Sequence, residues 1–438
     1  MVANITTILQ RFTGEWAMLL QPEAILTVCG ELGYTAWRDR VLTPVTTMQL
    51  FLLQILHGNT ACSHLPHLSG LRFSAAAYCQ ARARLPLRLF ALLLERFSSA
   101  VQRSALDEGR WHGHRTFLVD GSGCSMPDTP ALQQAFGQPT EQRPGCGFPV
   151  ARLLGLFQTH DLARVQAVHP SLQEGDVLVA DRGLCSYAHL ALLVQAGVHA
   201  VLRVGARQIV DFTPDRPFVR PSVRRTSAVK GIPRSRWLKA LGVDDQLVAW
   251  LKPKTCPSWL AKETLAALPE TLVLREVRYP IGTPGFRTRQ ITLVTTLVDA
   301  AVYGVADLAE LYRQRWQVET SLAHLKTTMQ MDVLHCKTVP RVLKELTVLA
   351  IVYNLVRMVM CQSALLQRIG VERISFLDAL RWLGGPSTGI PLGALIVNPI
   401  RPHRVEPRVK KRRPKSFPLM VKPRQELRQQ LVQQEFGG

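Results

Sequence analysis

LYRQRWQVETSLAHLK, residues 311–326, is the stretch around which the rest of this sequence is organised. One face of the predicted helix carries a phenol, two cations and a carboxylate: Tyr312, Arg315, Glu319 and Lys326. A helix turns by about 100° per residue, so these four positions fall within an arc of roughly 60°. Stabilising charge pairs on a solvated helix produce the same pattern, and the stretch alone favours that simpler interpretation.

Two upstream segments change that balance. Each is a short apolar run that stops on an aspartate: Arg115–Asp120 (RTFLVD) and Asp176–Asp181 (DVLVAD). Glycine-containing segments follow both, so we predict two buried strands that end in turns at their aspartates. Tyr187–Ala196 then predicts a helix and His199–Val204 another strand, which together form a strand–helix–strand unit.

Two strand-end aspartates and a helical glutamate are oxygen ligands of the type that hard divalent cations prefer. An aspartate at the end of a strand is more often a turn former than a metal ligand. Asp120 or Asp181 alone therefore indicates little, and the hypothesis depends on their combination with Glu319.

At this point the chain resembles the DDE transposases of the insertion-sequence-four family. The spacing Tyr-x2-Arg-x3-Glu-x6-Lys from Tyr312 to Lys326 matches the family signature without departure. Further matching segments are Asp120-Gly121-Ser122, ADRG around Asp181, MPDTP at Met126–Pro130 and PGCGFP at Pro144–Pro149. The resemblance runs over most of residues 70–425.

The resemblance implies an α/β fold in which an RNase H-like catalytic core is interrupted by a mostly β insertion. It implies that Asp120, Asp181 and Glu319 are catalytic and hold two Mg2+ ions, for which Mn2+ substitutes. Phosphate binding would fall to Tyr312, Arg315 and Lys326, because arginine offers a bidentate fork and lysine a point charge. The expected partners are double-stranded DNA, as transposon ends and target, and a second copy of the chain in the DNA complex.

The expected reaction begins when water frees a 3′-hydroxyl, which then attacks a second phosphodiester. That second target is the opposite strand, giving a hairpin, or target DNA. Two alternatives remain open: a decayed, inactive copy that only binds DNA, and a related metal-dependent nuclease without strand transfer.

Composition supports a polyanionic partner. The 438 residues include 53 basic and 32 acidic residues, a net charge of +21, which favours nucleic acid over a membrane surface. The excess is regional, since residues 1–108 hold nine basic and seven acidic residues and residues 401–438 hold eleven and three. Nine scattered cysteines without a C-x-x-C pair, and the lack of a signal-like N-terminus, predict a cytoplasmic, nucleoid-associated protein.

We predict five regions along the chain. They are a helical N-terminal domain (1–109), the first half of the core (110–204), a basic β-rich insertion (205–297), the second half of the core with packing helices (298–398) and a basic tail (399–438). In the first region, Ser74 is a predicted N-cap of a helix that carries Gln80, Arg82 and Arg84 near one side. That region is interpreted as DNA-binding, the alternative being a helical cap with solvated arginines.

Three further expectations concern individual elements. Between the two aspartates, Val150–Phe157 is the single convincing strand, so a hairpin strand is expected to be missing. In the insertion we predict strands at Thr271–Tyr279 and Thr288–Leu297, and at least two core residues among its three tryptophans: Trp237, Trp250 and Trp259. Beyond it, Val342–Met360 predicts an apolar packing helix and Lys337 a phosphate contact.

Overall fold

The computed structural model describes residues 20–37, 40–104, 110–158, 163–165, 172–205, 207–221, 229–281, 290–385, 390–400 and 420–435. Within these residues the fold is mixed α/β, with helices packed on a single sheet. The strands of that sheet are β1 (Thr116–Ser125), β2 (Val150–Gln158), β3 (Ala163–Val165), β4 (Val177–Ala180), β5 (His199–Arg203), β6 (Ser235–Gly242), β7 (Asp245–Leu251), β8 (Thr271–Pro280) and β9 (Gln290–Thr295).

The helices fall into four groups along the chain. Before the sheet lie α1 (Pro22–Glu31), α2 (Pro44–Leu56), α3 (Leu65–Ser69), α4 (Ala75–Arg84) and α5 (Leu87–Ser104). Between strands lie α6 (Pro130–Phe136), α7 (Tyr187–Gln195) and α8 (Lys262–Ala267). After the sheet come α9 (Val305–Arg313), α10 (Trp316–Ala323), α11 (Val339–Gln367) and α12 (Phe376–Gly384), and α13 (Arg424–Glu435) ends the described chain.

The strand order is β3-β2-β1-β4-β5-β9-β8-β7-β6. The three strands β1, β4 and β5 are parallel to one another, whereas the β1–β2, β2–β3 and β5–β9 pairs are antiparallel. In the parallel register Val119 lies opposite Ala180, which in turn lies opposite Leu202. The residues that follow these positions, Asp120 and Asp181, therefore come to the same edge of the sheet.

Two expectations for the first half of the core are wrong. Asp120 does not end its strand, because β1 continues through Gly121-Ser122-Gly123 to Ser125 along its antiparallel partner β2. The hairpin strand expected to be missing is present as β3, which pairs with β2 from Gly155↔Val165 to Phe157↔Ala163. Its three residues are too few to produce a recognisable hydrophobic period.

The predicted insertion does not form a sheet of its own. Both predicted strands are confirmed, as β8 and β9, and two further strands, β6 and β7, precede them. Because β9 pairs with β5 through Val201↔Thr295, all four strands extend the central sheet.

The N-terminal helices share a hydrophobic core with the rest of the chain. Side chains of α2 and α5, such as Phe51 and Phe90, belong to the same buried cluster as Leu118 of β1 and Ile351 of α11. Prolines mark two of the helix starts, since Pro22 and Pro44 occupy the first turn of α1 and α2. Ser74 caps α4 as predicted, accepting a hydrogen bond from the Ala77 backbone N–H at 3.1 Å.

The apolar helix predicted at Val342–Met360 is confirmed and is longer than expected, 29 residues in α11. By length and composition alone α11 is able to cross a membrane. However, 78% of its most apolar window is buried inside the protein, as in the core helix of a globular fold.

Arg275 on β8 provides a test of how this sheet is held together. Its guanidinium donates to both oxygens of Asp245, at 2.7 and 2.6 Å, and to the Tyr303 carbonyl at 2.6 Å. Arg275→Ala leaves a buried carboxylate without its partner, so we expect it to lower the free energy of unfolding by about 3–5 kcal/mol. Urea unfolding followed by circular dichroism measures this.

The matched control is Arg96→Ala, which removes an exposed ion pair with Glu31 between α1 and α5. Its expected cost is about 1 kcal/mol or less. Equal losses in the two variants would contradict a structural role for the buried pair.

Candidate active site at the edge of the sheet

The site begins at Asp120. The pairing of β1 with β4 ends one residue earlier, and from Asp120 onward β1 is paired with β2 alone. The Asp120 side chain is 32% exposed. One of its oxygens, Oδ1, accepts a hydrogen bond from the Gly121 backbone N–H at 2.7 Å, and Oδ2 faces Arg315. The carboxylate is thus fixed on one side and open on the other.

Asp181 follows β4 and precedes a 3₁₀ turn at Arg182–Leu184. Its Oδ1 accepts a hydrogen bond from the Tyr312 hydroxyl at 3.3 Å. Tyr312 is 3% exposed, and burial raises the pKa of its phenol, so the hydroxyl keeps its proton and acts as a donor. Tyr312 therefore joins the signature stretch directly to the second aspartate.

Arg315 joins the other two carboxylates. Its Nη2 donates to Glu319 Oε1 at 2.9 Å, and its Nη1 lies 3.7 Å from Asp120 Oδ2. The Arg315 side chain is 7% exposed, whereas that of Glu319 is 43% exposed. All three predicted carboxylates are thus connected, two through Arg315 and one through Tyr312.

The single continuous helix predicted over residues 311–326 is wrong in detail. α9 ends at Arg313 and α10 begins at Trp316, and the step between them is tightened by the Arg315 N–H to Tyr312 carbonyl bond at 3.1 Å. A π-helical turn, His324–Thr328, then follows α10. The predicted face is kept for the first three signature residues because the two residues between the helices, Gln314 and Arg315, both have right-handed helical backbone angles.

Lys326 lies in that π-helical turn, apart from the three carboxylates. In the described part of the chain it makes no ion pair with any of them. Burial raises the pKa of the Cys124 thiol of β1, and the positive charge of Lys326 offsets part of that rise. Lys337 is exposed in the turn before α11, where its carbonyl accepts a hydrogen bond from Thr129 at 3.4 Å. Among the described residues, neither lysine forms an ion pair with the three carboxylates.

Three carboxylates are a chemically suitable donor set for a hard divalent cation. In this arrangement, however, no three His, Cys, Asp or Glu side chains among the described residues stand close enough to hold one ion. The guanidinium of Arg315 lies between Asp120 and Glu319, where a shared cation would have to be. A metal ion thus does not fit the side chains as they are arranged here.

Arg203 is a neighbour of the site that the sequence did not reveal. It ends β5, one residue after Leu202, and so lies beside Asp181 at the same sheet edge. Burial raises the pKa of the Tyr312 phenol, and the positive charge of Arg203 offsets part of that rise. The sequence signal for such a neighbour is a basic residue at the end of a predicted buried strand.

A cavity of about 970 Å³ opens among the N-terminal helices. It is lined by three arginines, Arg40, Arg72 and Arg84, together with Gln80 and Trp37, and none of the described lining residues is acidic. Two of the predicted DNA-contact residues, Gln80 and Arg84, thus face a cationic cavity.

The expectation for Arg82 is wrong, because Arg82 is 7% exposed. Its guanidinium donates to Gln54 Oε1 at 2.9 Å and to Cys336 Sγ at 3.3 Å, and it stacks on the Phe51 ring at 3.7 Å. Arg82 therefore fastens α4 to α2 and to the turn before α11, and it is neither a solvated residue nor a DNA contact.

The expectation of two core tryptophans in the insertion is also wrong. Trp250 is buried, and its Nε1 donates to the wholly buried Glu276 at 3.1 Å. Trp237 is half-buried, and Trp259 is 51% exposed with its ring stacked on His189 at 4.3 Å. The predicted basic run at residues 410–415 lies outside the described residues.

Comparisons with known proteins show which proteins the chain is similar to. Residues 111–355 match the family model described as the transposase DDE domain. The chain is 24% identical over 367 residues to the transposase InsG for insertion sequence element IS4 of Escherichia coli (strain K12), covering 79% of this chain and 78% of that protein. A piggyBac transposase synaptic complex with hairpin DNA aligns at 9% identity over 84% of this chain and 78% of that chain, with a TM-score of 0.38, and carries no weight here.

The chain belongs to the DDE transposase family, because the family model spans more than half of its length. Such proteins are enzymes that cleave and join DNA strands. Within that family it resembles the IS4 type in the signature from Tyr312 to Lys326 and in its similarity to InsG.

Tyr312→Phe tests whether the phenol orients Asp181. The substitution keeps the buried ring and removes one hydrogen bond to a charged acceptor, worth about 1.5–3 kcal/mol. We expect strand cleavage to fall by about 10- to 100-fold, which is the rate equivalent of that energy, with little change in thermal stability. Gel assays of cleavage rate and thermal denaturation measure the two effects.

Tyr303→Phe is the matched control. Its hydroxyl bonds to His114 Nε2 at 2.8 Å, at the opposite end of the parallel strands. A similar loss of cleavage in both variants would show that the effect is structural and not specific to Asp181.

Proposed function

We propose that this protein transposes an insertion sequence by binding the ends of the element, cutting them and joining the free strands to target DNA. The observation that carries the proposal is the linked set Asp120, Asp181 and Glu319 at one sheet edge, bridged by Tyr312 and Arg315. These residues belong to separate parts of the sequence, and the fold brings them together.

We also propose that β1 to β5, with α7 and the α9–α11 region, form an RNase H-like core. The strand order β3-β2-β1-β4-β5 supports this, with β2 antiparallel and β4 and β5 parallel to β1. β3 removes the reason to regard this copy as having lost a hairpin strand. The DNA-binding-only alternative still has one observation in its favour, because the three carboxylates do not come within metal-sharing distance among the described residues, so activity measurements must decide it.

The proposed cofactor is a pair of Mg2+ ions, for which Mn2+ substitutes. Asp120, Asp181 and Glu319 would hold them only in an arrangement that differs from the one described here, in which these side chains do not fit a metal ion. When bound, such ions activate an attacking hydroxyl and offset charge on the leaving oxygen. Protein side chains would hold the DNA: Arg315 and Lys326 pair with phosphates, and Arg203 adds positive charge beside Asp181.

In the proposed reaction sequence, water first frees a 3′-hydroxyl at the end of the element. This hydroxyl then attacks either the opposite strand, giving a hairpin, or a phosphodiester of target DNA. A nuclease of the same family would stop after the first step, so strand-transfer products separate the two functions.

The proposed DNA contacts extend beyond the catalytic edge. The cationic cavity of the N-terminal helices is a suitable surface for the element's end, since phosphates and arginines attract over a face without acidic lining residues. We propose that two copies of the chain assemble on paired ends, and that the protein acts on the nucleoid in the cytoplasm.

Cleavage of a duplex that carries the element's own terminal repeat tests the catalytic assignment. The wild-type chain is expected to nick it with Mg2+ or Mn2+ and not with a chelator present. Glu319→Ala and Asp181→Ala are each expected to lower the rate by more than about 100-fold, because each removes charge stabilisation needed in the transition state. Electrophoretic mobility shift should show end binding within about twofold of wild type.

Glu310→Ala is the control, since Glu310 lies on the neighbouring helix α9 and, among the described residues, its carboxylate pairs with the exposed Arg313 alone. It should cleave at the wild-type rate. Joint loss of binding and cleavage in Glu319→Ala would contradict the catalytic role, and binding without cleavage by the wild-type chain would identify an inactive copy.

The N-terminal cavity is tested by Arg72→Ala and Arg84→Ala. If each arginine neutralises one phosphate, each substitution weakens binding to any duplex and reduces the slope of log affinity against log salt by about one. Arg88→Ala, an exposed arginine on α5 that does not line the cavity, is the control. Unchanged salt slopes in both cavity variants would place the DNA elsewhere.

A further inference from the structure

Two of the nine cysteines lie together among the N-terminal helices. Cys62 is in the turn before α3, and Cys79 is in the middle of α4. Their sulfur atoms are 3.7 Å apart, and both side chains are half-buried, so a small oxidant is able to reach them. The pair is thus open to a chemical modification that the catalytic assignment does not use.

The neighbours of Cys62 hold its sulfur in place. Cys62 packs against a small buried cluster that contains Leu65 and Tyr78. Its Sγ accepts weak hydrogen bonds from the Gln54 amide at 3.9 Å and from the Arg82 guanidinium at 4.0 Å. Burial raises the pKa of the Cys62 thiol, and the positive charge of Arg82 offsets part of that rise. The guanidinium thus favours the thiolate, which is the form of cysteine that reacts with oxidants.

A disulfide between the two cysteines needs only a small movement. An S–S bond is about 2.05 Å long, so the sulfurs would have to approach by roughly 1.7 Å. Side-chain rotation covers such a distance, and the backbone at Cys62 adjusts more easily than a helix because it is a turn. The bridge would close a loop of residues 62–79 that contains α3.

The oxidant for this step is a peroxide. One thiolate of the pair attacks a peroxide oxygen, the O–O bond breaks, and hydroxide leaves as the sulfur becomes a sulfenic acid. The second thiolate attacks that sulfur, the S–S bond forms, and the S–O bond breaks with the loss of another hydroxide. The two thiol protons convert the hydroxides to water. The two thiols thus lose two electrons, and hydrogen peroxide is reduced to two molecules of water.

The segment that the bridge encloses forms part of the cationic cavity. Arg72 and Phe73 lie between the two cysteines and line the cavity, as does Gln80, which follows Cys79 directly. Phe73 and Cys62 pack against the same small buried cluster. A movement of the Cys62 sulfur toward α4 is therefore passed to the wall of the cavity.

We propose that Cys62 and Cys79 form a reversible, peroxide-sensitive disulfide, and that this bridge reshapes the wall of the cationic cavity so that the oxidised protein binds DNA more weakly. The effect on DNA binding rests on the function proposed above, whereas the disulfide itself does not. A reducing cytoplasm returns exposed disulfides to thiols, so the bridge is transient. Transposition would then fall under oxidising conditions and recover afterwards.

Tryptic mass spectrometry of the full-length chain tests the disulfide. Cleavage after Arg72 places Cys62 in the peptide of residues 41–72 and Cys79 in that of residues 73–82, each as its single cysteine. After treatment with hydrogen peroxide and alkylation of the remaining thiols, the two peptides should be joined, with two hydrogens fewer than their sum. Dithiothreitol should separate them again.

Mobility shift with the terminal-repeat duplex tests the consequence. Oxidised wild-type protein should bind more weakly than reduced protein, and its slope of log affinity against log salt should be smaller by about one, because the bridge draws one cavity arginine away from a phosphate. Dithiothreitol should restore both values. Cys79→Ser cannot form the bridge, so it should bind like reduced wild type before and after peroxide.

The matched control is Cys256→Ser. It removes a half-buried thiol that lies in the insertion and donates to the Leu260 carbonyl at 3.2 Å, and it leaves the N-terminal pair intact. This variant should form the bridge and lose affinity after peroxide as wild type does. An unchanged affinity in Cys256→Ser would contradict the assignment of the effect to Cys62 and Cys79.

The outcomes separate this proposal from the one beneath it. If peroxide leaves the Cys62 and Cys79 peptides separate, or joins Cys62 to Cys336, the redox pair is overturned while DNA binding by the reduced chain stands. If the bridge forms and end binding is unchanged, the effect on the cavity is overturned. If neither form binds the duplex, the proposed DNA binding fails, and mass spectrometry still decides the disulfide. The wild-type comparison needs no substitution, so it holds even if Cys79→Ser fails to fold.

Discussion

The parallel pairing of β1, β4 and β5 is the constraint on which the rest of the structure depends. Because Val119, Ala180 and Leu202 lie in register, the residues that follow them reach one edge together, and a shift of one residue would turn Asp120 to the opposite face of the sheet. The helices that carry the signature then need only to lie across that edge. The geometry of the candidate site therefore depends first on strand register and only then on any sequence motif.

A second principle of the site is that its charges are balanced from within. The carboxylates are held by an arginine and a buried tyrosine of the same signature stretch, so the fold tolerates concentrated negative charge without a bound ligand. The same arrangement explains why Arg315 and Tyr312 accompany Glu319 at fixed spacing. About two turns of chain supply the carboxylate Glu319, the hydroxyl donor Tyr312 and the positive charge of Arg315.

Local patterns in the sequence predicted much of the fold and the members of the site. The apolar runs before Asp120 and Asp181, the helix at 187–195 and the strands β8 and β9 all follow from composition and period. The misses have tertiary causes: β1 continues through glycines because β2 supports it, β3 is too short to have a period, and Arg82 is buried by contacts with residues as distant as Cys336. Nor does helical spacing reveal the break between α9 and α10, which arises where the chain bends over the sheet edge.

The path of the chain between β5 and β9 has a consequence for how such proteins diversify. The long segment that contains β6, β7 and β8 leaves the core at Arg203 and returns on a strand that pairs directly with β5, at Val201↔Thr295. Its two ends are thus fixed side by side by main-chain hydrogen bonds, whatever lies between them. That segment can therefore be lengthened, shortened or rewritten without moving the strand end that carries Arg203 beside Asp181.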